Sequence, residues 1–251
     1  MPLQIRFSSN IGSVRNENQD YAGYYQKQNL ILGVVCDGMG GHNNGSIASK
    51  TAVETLIEHF KTTDIETYKS TDKKLIQNWF NEGIYKIDKK MKELVLEDEN
   101  NADMGTTLIT FLYFIEEEET YVFNIGDSRA YLYNGFLHQI SQDQNVMNYF
   151  INEENMNPET AGKIIGWDRL TSSLGPNKTK NIDTFVIHKD SKIKKLILTT
   201  DGLHTFVPKP IFEYILQQKN TSLAEKIELL LQKAIELKSN DNLTCLIMEV
   251  E

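Results

Sequence analysis

Leu30-Ile31-Leu32-Gly33-Val34-Val35-Cys36 is an apolar run that leads directly into Asp37-Gly38-Met39-Gly40-Gly41. This pattern predicts a buried strand that ends in a turn. It recurs where Asp201-Gly202 follows the strand-like segment Leu196–Thr200, and Asp241-Asn242 stands directly before the last strand-like segment. Aspartates at the ends of neighbouring strands can converge on one sheet edge, where their oxygens suit a divalent cation.

Further strand signals share β-branched or aromatic residues and boundaries of Gly, Asn or Asp. The full set is Leu3–Ser8, Leu30–Cys36, Thr107–Ile115, Thr120–Ile125, Arg129–Tyr133, Ile182–Ile187, Leu196–Thr200 and Leu243–Val250. Glu116–Glu119 is typical of a hairpin connection. Asn134-Gly135 predicts a type I′ turn leading into Phe136–Ile140, because both residues tolerate positive φ. We therefore expect an antiparallel meander in this part of the chain.

Helical periodicity occurs at Ser46–Phe60 and Lys73–Glu97, and again in a segment that ends at Leu237. Ser222 and Glu225 form a capping box at the start of that last helix. The second helix carries an apolar stripe of Leu75, Trp79, Phe80, Ile84, Ile87, Met91 and Leu94. Because strands and helices are segregated in blocks, the pattern favours an α+β sandwich over a parallel βαβ array.

The segment Gln142–Pro176 is polar and contains Pro158 and three glycines. We interpret it as an inserted flap, at about residues 142–176, that contains short helices. No internal repeat or low-complexity linker divides the chain, so residues 1–251 are predicted to form a single domain.

The composition of the 251 residues is typical of a globular protein, and the formal net charge is −9. That charge argues against nucleic acid or an anionic membrane as the main partner. Cys36 and Cys245 have no spacing that indicates a disulfide framework or a zinc site, and a reducing cytoplasm fits them best. Met1–Asn10 lacks a basic segment followed by an apolar stretch, so we expect neither secretion nor a membrane anchor.

The acidic segments need a counter-charge if they converge. Two carboxylates about 4 Å apart repel each other by ~4 kcal/mol at an effective dielectric near 20. Oxygen ligands select Mg²⁺ or Mn²⁺ rather than zinc or copper. A rival interpretation of Gly40–Ser46 is a phosphate-binding loop, but the required lysine is absent, and Asn43 stands where GxGxxG needs its last glycine.

Taken in order, the motifs of this chain resemble those of the metal-dependent type 2C (PPM) serine/threonine protein phosphatases, and most of all the compact bacterial members. The resemblance covers the chain almost from end to end. It rests on Ser13-Val14-Arg15 with Asn18-Gln19-Asp20, Val35 to His42, Gly105-Thr106-Thr107-Leu108, Asn124 to Ala130, Leu170-Thr171 with Leu174-Gly175, Leu198 to Gly202 and Ser239 to Thr244. It implies an αββα architecture, in which two antiparallel sheets form a sandwich flanked by pairs of helices.

The resemblance also implies a set of site residues. Asp37 would bridge two Mn²⁺ or Mg²⁺ ions. Asp201 and Asp241 would complete the first ion, and the Gly38 carbonyl would join the second. Two further aspartates have weaker roles: Asp20 would act through a metal-bound water, and Asp127 would hold a third ion. Arg15 is expected to clamp the phosphate, because its planar fork can donate two parallel hydrogen bonds to phosphate oxygens.

The implied reaction is hydrolysis of phosphoserine or phosphothreonine in proteins. A hydroxide shared by the two ions would attack in line, and no phosphoenzyme would form. Phosphorylated proteins would be the substrates, and a serine/threonine kinase acting on them in a bacterial cell would be the opposing partner. One alternative is a noncatalytic, phosphoprotein-binding regulatory module of the same fold; another is hydrolysis of a small phosphorylated metabolite.

The chain departs from the family pattern at several positions. Gln19 stands where many relatives have Glu, and Met39 stands where animal members have a His that can serve as the leaving-group acid. His42 is interpreted as an ordinary histidine at a helix start, so a metal-bound water is the better proton source. In the flap, Asp143-Gln144-Asn145 replaces the usual Asp-His-Ser, and Ser172-Ser173 replaces Arg-Ala.

Overall fold

The computed structural model describes residues 3–41 and 44–250. Its strands pair in antiparallel fashion throughout. They are β1 (Gln4–Asn10), β2 (Asp20–Lys27), β3 (Leu30–Met39), β4 (Gly105–Thr106), β5 (Leu108–Phe114), β6 (Glu119–Ile125), β7 (Arg129–Tyr133), β8 (Leu137–Gln139), β9 (Asp183–Ile187), β10 (Lys195–Thr199) and β11 (Leu243–Glu249).

The strands form two sheets. The first has the order β1-β11-β10-β7-β8, and the second has the order β2-β3-β5-β6-β9 with β4 paired to β3. A buried apolar layer that includes Ile31, Val35 and Phe111 from the second sheet and Leu198 and Leu246 from the first lies between them. The predicted sandwich of two antiparallel sheets is therefore confirmed.

Helices cover both outer faces of the sandwich. The helices are α1 (Asn44–Thr62), α2 (Lys73–Glu97), α3 (Val146–Asn152), α4 (Pro158–Ala161), α5 (Asp201–His204), α6 (Lys209–Gln217) and α7 (Leu223–Glu236). Helices α1 and α2 share one apolar core with the second sheet, and α6 and α7 share another with the first sheet. The αββα arrangement is confirmed, and the capping box at Ser222 and Glu225 is present.

The predicted meander is wrong between β6 and β7. The hairpin β5-β6 belongs to the second sheet and the hairpin β7-β8 to the first, so the chain crosses between sheets at Gly126-Asp127-Ser128. Gly126 has a φ of +105°, and a Cβ there would lie 2.7 Å from a Thr107 side-chain atom. Only glycine can make this sharp turn against Thr107.

The Asn134-Gly135 hairpin forms, but not with a type I′ turn. Gly135 has a φ of +123°, whereas Asn134 is not among the described residues with positive φ. The connection is three residues long because Tyr133 pairs with Leu137, so strand β8 begins one residue later than expected. Three-residue loops with glycine in the positive-φ position are the next most common hairpin type.

Strand β2 and helix α6 were not predicted from the sequence. In β2, Gly23 weakens the strand pattern, but it has a packing role: a Cβ there would lie 2.7 Å from Ile57 of α1. In α2, the predicted stripe is wrong at Leu75, which is 47% exposed, while the neighbouring Ile76 is buried.

The segment at residues 142–176 runs between β8 and β9 and contains the short helices α3 and α4. His42 lies outside the described residues. In the described part of the chain, no helix is both long enough and apolar enough to cross a bilayer.

Candidate metal centre

The acidic residues predicted from the sequence lie at one end of the sandwich, on both sheets. Asp20 begins β2 and is paired with Asp37 on β3. Asp201 is the first residue of α5, which follows β10, and Asp241 lies two residues before β11. Since β10 and β11 are antiparallel neighbours, the end of one lies beside the start of the other. The fold thus brings together four aspartates that are far apart in sequence.

Asp20 connects the two sheets. Its Oδ2 accepts hydrogen bonds from Thr200 Oγ1 at 2.8 Å and from Thr244 Oγ1 at 2.7 Å. Its Oδ1 is buried and has no hydrogen-bond partner among the described residues. The pKa of Asp20 is raised to about 7: burial is the largest cause, the charges of Asp201 and Asp241 act in the same direction, and the two threonine hydrogen bonds oppose them.

Asp37 lies at the electrostatic centre of this group. Burial raises its pKa well above the ordinary value, and the nearby charges of Asp20, Asp201, Asp127 and Asp241 act in the same direction. Burial and then the charge of Asp241 also raise the pKa of Asp201. The polypeptide alone therefore collects more negative charge here than it neutralises, and a bound cation would relieve that excess.

Hydrogen bonds fix the backbone of Asp37 in place. Its N–H donates to Thr107 Oγ1 at 2.9 Å, and its carbonyl accepts from Thr106 Oγ1 at 2.8 Å. Thr107 Oγ1 also bonds to Ser128 Oγ at 2.7 Å, which ties Asp37 to the crossover that carries Asp127. Burial raises the pKa of Asp127 to about 7, with Asp201 the next cause. Asp127 thus lies close enough to Asp37 and Asp201 for their charges to interact.

Two glycines allow the loops around the aspartates to pack closely. A Cβ on Gly38 would lie 2.1 Å from the Gly45 carbonyl oxygen, and a Cβ on Gly202 would lie 2.0 Å from the Asn242 carbonyl oxygen. Backbone atoms cannot move aside as the end of a side chain can, so neither position accepts a larger residue. Close backbone approach is the reason for glycine at both positions.

Arg15 reaches the same centre from the loop between β1 and β2. Its Nη2 donates to Asp241 Oδ2 at 2.7 Å, and half of its side chain remains exposed. The buried Asn242 side chain holds this loop: its Oδ1 accepts from the Gln19 N–H at 2.9 Å, and its Nδ2 donates to the carbonyls of Ile11 and Glu17, each at 2.9 Å. Arg15 is therefore a half-exposed cation, paired with Asp241, on an anchored loop.

The donor set fits Mg²⁺ or Mn²⁺. It consists of carboxylate oxygens with a backbone carbonyl nearby, which is the ligand type of hard cations. Asp20 Oδ1 and Asp201 Oδ1 are both buried without a hydrogen-bond partner in the described chain. No group of three His, Cys, Asp or Glu side chains within residues 3–41 and 44–250 already has a ligating arrangement. Loading would therefore need side-chain adjustments, such as release of Asp241 by Arg15.

Sequence reasoning gave no role to several residues that position the site. Thr200 and Thr244 hold Asp20, Thr107 holds Asp37, and Asn242 holds the loop of Arg15. The available signal was that all four stand within the motifs that carry the family resemblance, and that Thr200 and Asn242 adjoin Asp201 and Asp241. Their partners lie on other strands, so the sequence alone could not identify them.

Comparisons with known proteins identify the family of this chain. The family model described as protein phosphatase 2C matches residues 13–237. The serine/threonine phosphatase stp of Listeria monocytogenes serotype 4b is 32% identical over 253 residues, covering 98% of this chain and 96% of the relative.

Solved structures show the same similarity. Serine/threonine phosphatase Stp1 from Staphylococcus aureus superposes with a TM-score of 0.86 at 28% identity, covering 100% of this chain and 96% of that chain. The catalytic domain of the phosphatase PstP, solved with two manganese ions, gives a TM-score of 0.77 at 23% identity, covering 98% and 97%. At that identity, the PstP likeness shows the fold alone.

Proposed function

Because the chain belongs to the protein phosphatase 2C family and is a serine/threonine protein phosphatase, we propose that it hydrolyses phosphoserine and phosphothreonine in proteins by a metal-dependent reaction. The observation that carries this proposal is the convergence of Asp20, Asp37, Asp201 and Asp241 from two sheets on one partly buried, oxygen-lined centre. The reaction would proceed in line and without a phosphoenzyme.

Two Mn²⁺ or Mg²⁺ ions, when bound, would acidify a shared water and stabilise charge on the phosphoryl oxygens. Asp37 would bridge the ions, Asp201 and Asp241 would bind the first, and the Gly38 carbonyl would bind the second. Asp37 suits the bridging role because its carboxylate feels the charges of all the other aspartates. The threonine hydrogen bonds to one oxygen of Asp20 leave the other oxygen for a water at the ions.

Arg15 would bind the substrate phosphate. Its guanidinium pairs with Asp241. With that carboxylate engaged by a cation, the guanidinium would be able to donate two parallel hydrogen bonds to phosphate oxygens. Asp127 would hold a third, weaker ion, because it lies on the crossover beside Asp37 and Asp201.

The cellular setting is part of the same proposal. Residues 1–251 would form one catalytic domain, with the flap at about 142–176 influencing the choice of substrate. Phosphorylated proteins would be the substrates, and a serine/threonine kinase would oppose the enzyme in signalling. A cytoplasmic location is consistent with Cys36 and Cys245, which are buried free thiols.

The test is phosphate release from a phosphothreonine peptide, titrated with Mn²⁺, Mg²⁺ and chelator. We expect Mn²⁺-dependent hydrolysis that Asp37→Asn reduces to background. Asp190→Asn removes an exposed carboxylate from another part of the protein and is the matched control. A small phosphate ester, run in parallel, should be a poorer substrate than the peptide.

Folding must be separated from chemistry in this test. Asp37→Asn removes one of several mutually repelling charges, so the metal-free variant should be at least as stable as the wild type, while the Mn²⁺-induced rise in Tm is lost. Peptide binding without turnover at any metal concentration would support the noncatalytic module instead. Equal hydrolysis by Asp37→Asn and the wild type would refute the proposed site.

A further inference from the structure

Gln144, at the start of the flap, bonds to the crossover that carries Asp127. The side-chain oxygen Oε1 of Gln144 accepts from the Gly126 N–H at 2.8 Å. The backbone N–H of Gln144 donates to the Gly126 carbonyl at 3.0 Å. Both backbone polar groups of Gly126, the residue directly before Asp127, are thus bonded to one flap residue.

The other end of the same amide reaches strand β9. Gln144 Nε2 donates to Asp183 Oδ2 at 2.8 Å and, more weakly, to the Asn181 carbonyl at 3.3 Å. The Gln144 carbonyl accepts from the Thr171 N–H at 2.9 Å, which ties the returning limb of the flap to its outgoing limb. One residue therefore joins the base of the flap, the crossover and the start of β9.

The crossover is held on its opposite side as well. Ser128, directly after Asp127, bonds through Thr107 to the backbone of Asp37. Asp127 is therefore fixed between a connection to Asp37 on one side and the Gln144 amide on the other. Loss of the Gln144 side chain would remove the acceptor of the Gly126 N–H, while the Gly126 carbonyl would keep the Gln144 N–H and Asn124 Nδ2 as donors.

The position requires a group that accepts and donates at once. The acceptor faces an N–H and the donor faces the Asp183 carboxylate, and a primary amide supplies both. A carboxylate at position 144 would keep the acceptor but would place a second negative charge against Asp183. An apolar side chain would leave the Gly126 N–H without this partner.

We propose that Gln144 is a positioning residue that sets Asp127 for metal binding and couples it to the base of the flap. This inference rests on the proposed function, because it takes Asp127 as the ligand of the weaker ion. Gln144 contacts neither the substrate nor the ions; it acts through the Gly126-Asp127-Ser128 turn.

The test exchanges the hydrogen-bond donor and acceptor between positions 144 and 183. Gln144→Glu should raise the Mn²⁺ concentration for half-maximal phosphopeptide hydrolysis by about tenfold, the scale of one hydrogen bond to a charged group. The rate at saturating Mn²⁺ should stay within about twofold of the wild type, since the two main ions keep their ligands. The double variant Q144E/D183N places the donor on strand β9 and should restore the wild-type titration. Gln142→Glu makes the same charge change on an exposed side chain two residues away and should have no effect.

Two readouts need no turnover. Calorimetry of Mn²⁺ binding should show that Gln144→Glu weakens the weaker binding phase, and limited proteolysis should show faster cleavage within residues 142–176. An unchanged metal titration in Gln144→Glu would overturn the proposal, and so would failure of Q144E/D183N to restore the titration. If Gln144→Glu is less stable than the wild type, an equal loss of stability in Q144E/D183N would overturn it as well. If the wild type neither binds Mn²⁺ nor hydrolyses phosphopeptide, the proposed function fails instead, while proteolysis still reports the link between Gln144 and the flap.

Discussion

Replacing Asn242 by alanine tests whether the loop of Arg15 is held as the structure shows. The Asn242 side chain is 5% exposed and makes three hydrogen bonds of 2.9 Å, to the Gln19 N–H and to the carbonyls of Ile11 and Glu17. Each bond contributes on the order of 1 kcal/mol net. We therefore expect Asn242→Ala to lower the free energy of unfolding by about 3 kcal/mol.

The same change should affect catalysis through Arg15. A displaced loop moves the guanidinium away from the phosphate, and a misplacement of about 1 Å costs on the order of 100-fold. We expect kcat/KM for a phosphothreonine peptide to fall by between about tenfold and 100-fold, with much of the loss in KM, because Arg15 binds the phosphate.

Urea denaturation of the metal-free protein and steady-state kinetics at saturating Mn²⁺ measure the two effects separately. Asn220→Ala, in an exposed loop before α7, is the matched control. Asn242→Asp keeps the acceptor for Gln19 but places a buried carboxylate oxygen against the Ile11 and Glu17 carbonyls, so it should destabilise the protein at least as much as Asn242→Ala. A change of less than about 0.5 kcal/mol in Asn242→Ala, the usual range for surface sites, together with an unchanged KM would refute this reasoning.

Two further predictions concern pH and metal affinity. Burial, and then the nearby Lys86, lower the pKa of His59, whose ring bonds to the Trp79 carbonyl and accepts from Lys86. The contribution of His59 to stability is therefore complete above the ordinary histidine pKa and is lost as pH falls below it. The wild type should lose more stability than His59→Gln when urea titrations are compared between pH 7.5 and pH 5.5, which is about one unit either side of 6.5. His138→Gln, on the exposed side of β8, is the control, and equal slopes for wild type and His59→Gln would contradict this reasoning. Gln19 packs against Gly45 and lies beside Gly38, so Gln19→Glu adds a negative charge near the ions and should tighten Mn²⁺ binding by about tenfold in calorimetry. Gln26→Glu, an exposed position on β2, should leave Mn²⁺ binding unchanged. Weaker Mn²⁺ binding by Gln19→Glu would contradict the placement of residue 19 beside the ions.

The sequence predicted the sandwich because its strands and helices carry strong local patterns. The apolar run before Asp37 and the capping box at Ser222 each depend on a few residues that are adjacent in sequence, so the sequence alone reveals them. The crossover at Gly126 was missed because its turn depends on Thr107, which is distant in sequence. The Asn134-Gly135 hairpin was located correctly, but pairing of Tyr133 with Leu137 sets the length of its loop.

For the site, the aspartates could be identified from their positions at strand ends and from the family resemblance. The residues that hydrogen-bond to the aspartates could not be identified, because a threonine such as Thr244 acquires its role only when its strand lies beside the strand that carries Asp20. Gln144 shows the same limit: the sequence marks it as a departure from the family pattern, but its partners on the crossover and on β9 appear only in three dimensions.

Strand β11, which ends at Glu249, lies inside its sheet, between β1 and β10. During synthesis, the amino-terminal half of the protein can form much of the second sheet while the first sheet still lacks an interior member. Asp241 enters the chain shortly before that member, so the four aspartates cannot come together until β11 has inserted between β1 and β10. The order of the strands thus makes the centre depend on pairings between residues more than 200 positions apart, such as Asp20 with Thr244.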